Sequence, residues 1–314
     1  MDKKDNKDKK YLGHIALLCV NIFFGLNMSI SKGLLNGIID PVGLNALRFL
    51  AGAVAFWFLA LFGWEKVNNK DLFILFLGSV FGLIGNQILF VQGLSRTSPI
   101  DASIISTTVP IITMVLSALI LKEPISFLKV LGILVGASGA VFLVLSSQNG
   151  SDKQSSIPGD LLCAGSALAF SLFLVNTKPV TQRYSAVTIM KWMFLFATVL
   201  IVPFSLKDIA SVNYATMSDS NALALAFVLI CATIIPYLLI PVGQKRLRPT
   251  TQSMYNYVQP IVAVAVAIIA GTNFLTATKG IAAIMVFVGV YIVTQSKSRA
   301  DLESKQKATP STFS

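Results

Sequence analysis

Residues 93–139 read GLSRTSPIDASIISTTVPIITMVLSALILKEPISFLKVLGILVGASG, and residues 243–289 read GQKRLRPTTQSMYNYVQPIVAVAVAIIAGTNFLTATKGIAAIMVFVG. Set together at a shift of 150, the two stretches align without a gap and share eight of 47 positions: Gly93/Gly243, Arg96/Arg246, Pro99/Pro249, Ser103/Ser253, Pro110/Pro260, Ile111/Ile261, Lys129/Lys279 and Gly139/Gly289. Apolar sequence supplies some matches by chance, so the prolines weigh most. Pro110 and Pro260 each fall about eight residues into an apolar run, where a helix breaker is disfavoured by about 3 kcal/mol. A shift of 146 matches the starts of the two halves, pairing Gly13 with Gly159, Phe24 with Phe170 and Lys32 with Lys178. The chain is a duplication.

Composition says what the repeated unit is made of. Of 314 residues, 54% are hydrophobic and 12% charged, the latter about half the roughly 25% of soluble proteins. A helix crossing a bilayer takes about 20 mainly apolar residues, since each adds about 1.5 Å against a core about 30 Å thick. Ten runs meet that length: residues 11–35, 43–63, 72–94, 102–121, 127–147, 158–177, 187–206, 221–243, 251–270 and 277–294. Five fall in each copy, and five is odd, so the second copy enters the membrane from the opposite side. The sequence therefore predicts an all-α integral membrane protein of ten transmembrane helices built as two inverted five-helix repeats. Secondary transporters commonly use this construction, because antiparallel halves can exchange inward-open and outward-open shapes about a midplane site. On this reading residues 1–10 are an N-terminal tail, 11–147 the first repeat, 148–157 a linker, 158–295 the second repeat and 296–314 a C-terminal tail.

The 25 Lys and Arg against 14 Asp and Glu give a net charge of +11, which in a soluble chain would suggest a nucleic-acid surface. Here the basic residues sit in tails and short loops, where they report topology instead. With the N-terminus inside, 18 fall on the cytoplasmic side and four, Arg96, Lys153, Lys207 and Lys279, outside; Lys32, Arg48 and Lys191 lie within spans. The imbalance predicts both termini in the cytoplasm. A basic start before an apolar run also raises the question of a cleaved signal. The run, however, continues to Leu35 without an A-x-A site, and nine similar runs follow.

Enzymatic chemistry has little to build on. Cys19, Cys163 and Cys231 lie in apolar stretches and His14 is the single histidine, so no Cys/His metal cluster, redox Cys pair or Cys-His-Asp triad can be assembled. The expected partners are a small-molecule substrate and membrane lipids, with no nucleic acid and no cofactor; the oligomeric state stays open.

Several segments carry a family resemblance. They are Phe24-Gly25-Leu26-Asn27 followed by Lys32 in span 1, Leu47-Arg48-Phe49 in span 2, Gly93-Leu94 running to Pro99 and Pro110 through spans 3 and 4, and Lys122-Glu123-Pro124 before span 5. Tyr257-Val258-Gln259-Pro260-Ile261 in span 9 continues the set, whereas Thr272-Asn273 lacks an expected glutamate. In order and spacing, over about residues 11–295, the chain resembles the drug/metabolite transporter superfamily, in its ten-span group of two EamA domains. The resemblance implies a secondary transporter of a bacterial inner membrane, carrying amino acids, other metabolites or amphipathic drugs, with efflux as the direction. A non-transporting scaffold or receptor on the same fold is the alternative.

Polar side chains in spans should face neighbouring helices or a wet cavity, because an unpaired polar group in hydrocarbon costs several kcal/mol. Asn86, Phe90 and Gly93 share one helical face at i, i+4, i+7; Tyr255 and Gln259 share another at i, i+4; Asn27 follows Phe24 by three. An amide or phenol beside aromatic and small residues is the chemistry of a pocket for a small, partly apolar solute. The same amides could equally serve as interhelical glue. The resemblance implies a pathway through spans 1, 3, 4, 6, 8 and 9, hence substrate-binding roles for Asn27, Asn86, Phe90, Tyr237, Tyr255 and Gln259.

All 14 acidic residues lie in tails, loops or span ends, Asp101 and Asp160 at span starts. A carboxylate at membrane depth, the usual carrier of a coupled proton, is not in evidence. Lys32 and Lys191 can snorkel to an interface. Arg48, inside span 2, can bond carbonyls freed near a proline-containing helix or attract an anionic substrate group. Pro110 and Pro260, with Pro236 and Pro241, each remove a helix hydrogen bond and suggest hinges in spans 4, 8 and 9. The topology is checked with reporter fusions: green fluorescent protein after residue 296 is expected to fluoresce, and alkaline phosphatase inserted at residue 152 to be active. The reverse pattern would invert the orientation.

Overall fold

The computed structural model describes residues 3–97, 102, 105–145, 156–214, 217–269 and 277–296. Pro99, Asp101, Ser103, residues 146–155, Thr272, Asn273 and the tail from residue 297 lie outside the described residues. Ten principal helices follow: α1 (Lys3–Leu35), α2 (Pro41–Ala60), α3 (Asn69–Arg96), α4 (Val109–Ile120), α5 (Phe127–Leu145), α6 (Ile157–Asn176), α7 (Ala186–Ile201), α8 (Asp219–Arg246), α9 and α10 (Ala277–Thr294). The ninth is composite, running as Pro249–Ser253, a 3-10 turn at Met254–Tyr257, and Val258–Ile269. Six of the ten, α1, α2, α3, α6, α7 and α8, are long and apolar enough to span a bilayer unaided by length and composition.

Helix starts follow local chemistry. Asp40, Asn68, Ser156, Ser185 and Ser218 each accept a hydrogen bond from a backbone N–H of the first turn, and Pro41 and Pro158 stand where the missing donor does no harm. Pro110 and Pro260 obey the same rule, against expectation. The sequence suggests kinks within continuous spans, but Pro110 lies in the first turn of α4, after a turn at Thr107–Thr108, and Pro260 is the third residue of a segment that follows the 3-10 turn. The break precedes the proline in both.

The duplication is visible in the packing. Helix α1 packs on α8 and α9, as α6 packs on α3 and α4; α2 pairs with α7 and α5 with α10. Contacts repeat at the 146 and 150 shifts. A Cβ on Gly93 would lie 2.6 Å from Cys163 Sγ, and one on Gly243 would lie 2.5 Å from the Leu17 side chain. Leu17 and Cys163 are equivalent at the 146 shift. Two inverted five-helix repeats thus lie about a pseudo-two-fold axis. Val54, Phe58, Leu119, Phe127, Leu161 and Leu223 are exposed outside the bundle, an apolar belt that suits lipid rather than water.

Both α3 and α8 change register midway. Each carries a π-helical turn, at Val80–Gly85 and at Ile230–Ile234, so the widened turns sit 150 residues apart. In α8 the cause is plain: Pro236 has no N–H to give to Ala232 O four residues back. In α3 the Asn86 N–H reaches Phe81 O.

Lys32 and Lys191 do not snorkel. Lys32 turns inward and donates to Leu94 O (2.9 Å), Ser95 O (3.3 Å) and Thr97 O (3.1 Å) at the end of α3. Its repeat equivalent Lys178 donates to Gln244 O and, at 2.6 Å, to Leu247 O at the end of α8. The unpaired carbonyls of each helix end take up the ammonium groups. Lys191 is fully buried against the protein's three tryptophans, its Nζ 4.0 Å from the Trp64 ring centroid, 5.5 Å from Trp57 and 5.9 Å from Trp192, a cation–π site on the face that carries the N-terminus. In the adjoining α2–α3 loop, burial pushes the Glu65 carboxyl up, but hydrogen bonds from Thr188 and Ser185 and the Lys191 charge outweigh it and hold the group below its usual value.

The α5–α10 crossing is a close backbone approach, since a Cβ on Gly289 would sit 2.5 Å from Gly136 N and 2.6 Å from Gly132 O. Gly289→Ala is expected to destabilise the protein by about 1–3 kcal/mol, because backbone must move to admit the methyl. Gly280→Ala, which meets nothing within 4 Å, is the control and should leave the unfolding temperature in detergent level or higher.

Candidate functional site

A partly enclosed cavity runs from mid-bundle toward the face opposite the N-terminus. Its wall is made of repeat-related pairs. Phe24 with Phe170, Gln87 with Tyr237, Ser106 with Asn256, and Val109 with Gln259 all line it, and each pair stands 146 or 150 residues apart. The pseudo-two-fold axis therefore passes through the cavity.

Tyr237 sits on that axis. Its hydroxyl accepts from Gln87 Nε2 at 2.9 Å and donates to Gly82 O at 3.2 Å, while Phe24 and Phe194 meet its ring edge-on at 6.4 and 5.3 Å between centroids. Gly82 O is the carbonyl of the α3 π turn equivalent to Ala232 O in α8. Ala232 O accepts from Arg48 Nη2 at 3.0 Å, and Arg48 Nε donates to Thr233 Oγ1 at 2.8 Å. The guanidinium thus supplies the donor that Pro236 withholds, and it does so from the cavity wall.

Of the residues singled out from the sequence, Asn27, Asn86, Phe90, Tyr237, Gln259 and Arg48 line this one cavity. Asn86 also serves as glue: its Nδ2 donates to Ser166 Oγ at 2.9 Å, and Ser166 Oγ donates to Asn86 O at 2.9 Å, tying α3 to α6. Gln259 Nε2 donates to Asn21 Oδ1 at 2.8 Å, tying α9 to α1. Asn27 Oδ1 accepts from Ser31 Oγ at 2.8 Å. Tyr255 is not brought to the cavity. Its hydroxyl meets His14 Nδ1 at 2.6 Å, nearer the N-terminal face, because the 3-10 turn at Met254–Tyr257 advances about 120° per residue and takes Tyr255 off the face of Gln259. Pro110 and Pro260 are not lining residues.

Sequence reasoning counted Gln87 and Asn256 among the polar residues of the spans without giving them a site role, and did not single out Ser106 or Ser166. The repeat held the signal, since Gln87 and Ser106 align with Tyr237 and Asn256 at the shift that exposed the duplication. Among the described residues lining the cavity, Arg48 is the charged one and none is a carboxylate.

A bundle of inverted repeats, sheathed in apolar side chains and holding a polar cavity on its axis, defines a multi-pass membrane transporter. The chain belongs to the EamA-like transporter family, whose model matches residues 11–145 and 157–295, and it is accordingly a transporter rather than an enzyme. Similar proteins include the uncharacterized transporter YetK of Bacillus subtilis (24% identity over 82% of this chain and 79% of the relative). The uncharacterized transporter YyaM of the same organism (24%, 88% and 92%) and the WAT1-related protein At2g40900 of Arabidopsis thaliana (24%, 90% and 78%) are two more. A solved crystal structure at 19% identity has the same fold, with a TM-score of 0.70 over 96% of this chain and 99% of its own.

Tyr237→Phe removes the hydroxyl that satisfies both Gln87 and Gly82 O. The expected loss is about 1–3 kcal/mol of stability, read as a lower unfolding temperature of the purified protein. An unchanged temperature would mean that water or a shifted side chain replaces the bond.

Proposed function

We propose that the protein moves a small organic solute across the plasma membrane by alternating access, binding it in the axial cavity through Asn27, Asn86, Phe90, Tyr237 and Gln259. One observation carries this reading. The cavity is walled in equivalent pairs by the two inverted repeats, Val109 with Gln259 and Gln87 with Tyr237 among them, and the seam beside it between α1 and α9 is held by the Asn21–Gln259 hydrogen bond. Halves that contribute equivalent walls to one axial site can exchange conformations and so open that site to either face in turn. His14 and Tyr255 extend the seal toward the N-terminal face, so Tyr255 belongs to the gate rather than the binding site.

The basic-residue imbalance supports an inner membrane with both tails, 1–10 and 296–314, in the cytoplasm and repeats at 11–147 and 158–295, so the cavity faces outward in this conformation. Efflux is the direction the family resemblance favours. A cavity wall without a carboxylate among the described residues speaks for facilitated or exchange transport over coupling through a buried acid. Pro110 and Pro260, each beside an existing break, are the proposed hinges.

Counterflow in proteoliposomes tests the reading. Vesicles loaded with the transported solute are expected to accumulate its labelled form. Absence of counterflow with amino acids, nucleosides, sugars and cationic drugs alike would leave a scaffold or receptor. Replacing Pro110 and Pro260 together with alanine is expected to slow exchange while membrane expression is kept, and an unchanged rate would remove the hinge role.

A further inference from the structure

We infer that the solute carries a carboxylate and that Arg48 is its receptor; the inference rests on the transport reading above and narrows it. Arg48 is 3% exposed and lines the cavity. Its Nε and Nη2 are engaged by Thr233 and Ala232, while Nη1 makes no hydrogen bond to any described residue. The ion pairs among the described residues, Lys129 with Glu123 and Arg183 with Asp71, lie elsewhere. The guanidinium therefore faces the cavity with a free pair of donors and no counter-ion among the described residues.

The repeat shows that capping Ala232 O does not require this charge. The equivalent carbonyl, Gly82 O, is satisfied by the neutral hydroxyl of Tyr237. Arg48 performs the same capping with a full positive charge left over. A buried cation without a partner attracts an anion strongly, because little water intervenes to screen it, and the same field disfavours an organic cation. The planar fork of a guanidinium fits a carboxylate. One cation matches one negative charge, whereas a phosphate dianion would bring a second charge with nothing beside it. The same cavity is lined by Asn27, Asn86 and Gln87, the last with a buried, unpartnered Oε1, and by Phe24, Phe90 and Phe170. Together they suit a solute with an acidic end, further hydrogen-bonding groups and an apolar side chain.

The test uses the purified full chain and the twenty L-amino acids, each matched with its α-carboxamide, read by thermal shift. Stabilisation is expected from one or more acids, with the corresponding amide weaker by about tenfold or more. Arg48→Gln keeps a neutral donor for Ala232 O and is expected to bring the acid down to the level of the amide. Arg48→Lys, which keeps the charge but not the fork, is expected to fall between and guards against a folding defect in the first variant. An amide that binds as tightly as its acid, an Arg48→Gln protein that still prefers the acid, or no response to any acid would each overturn the inference. Counterflow separates the two levels. Exchange of neutral or cationic solutes alone would leave the transport reading standing and sink this one, and no exchange of any class would remove both.

Discussion

A backbone carbonyl released from its helix inside hydrocarbon has no water to turn to, and leaving it unpaired costs several kcal/mol. Two such places, the π turns of α3 and α8, organise this fold, and the C-terminal ends of the same two helices add freed carbonyls at the edges of the bundle. Each is answered from another helix or its end. Arg48 of α2 serves Ala232, Tyr237 of α8 serves Gly82, Lys32 of α1 serves the end of α3, and Lys178, just past α6, serves the end of α8. The irregularities of α3 and α8 thus double as docking points, and the helices around the cavity are held by the bonds that repair them. Polar groups gather at the axis because the broken backbone needs them there, and a solute site can draw on the same groups.

Much of this was legible in the residues. The 150-residue shift, the odd number of spans per copy and the two proline pairs define a duplicated, inverted, all-helical membrane protein, and the match of the family model to both halves agrees. The polar residues of spans 1, 3, 8 and 9 and Arg48 converge on one cavity because amides and charges have few other places to go in an apolar bundle. Backbone departures were not legible. Helical spacing puts Tyr255 with Gln259 only while the turn stays at about 3.6 residues, and a four-residue 3-10 turn undoes it. The two lysines escaped for a related reason: snorkelling assumes that water is the best partner within reach, whereas a helix end offers three carbonyls to Lys32 and three tryptophan rings surround the Lys191 ammonium.

Glue and pathway turn out not to be alternatives. Asn86 and Gln259 each bond a neighbouring helix and line the cavity. A residue that fastens two helices beside a binding site is placed to couple the solute to the seam. The packing constraints are general to the bundle, and the chemistry of the cavity rests on a handful of side chains.

The bond between Gln87 and Tyr237 joins two positions that the duplication made equivalent. A symmetric ancestor, with one sequence in both orientations, would have set glutamine against glutamine or tyrosine against tyrosine there. Neither pairing would set an amide donor on one half against a phenol on the other that passes its proton on to a carbonyl. Once the two halves diverged at this point they became complementary instead of interchangeable. A self-pairing of either half would lack the contact at its centre.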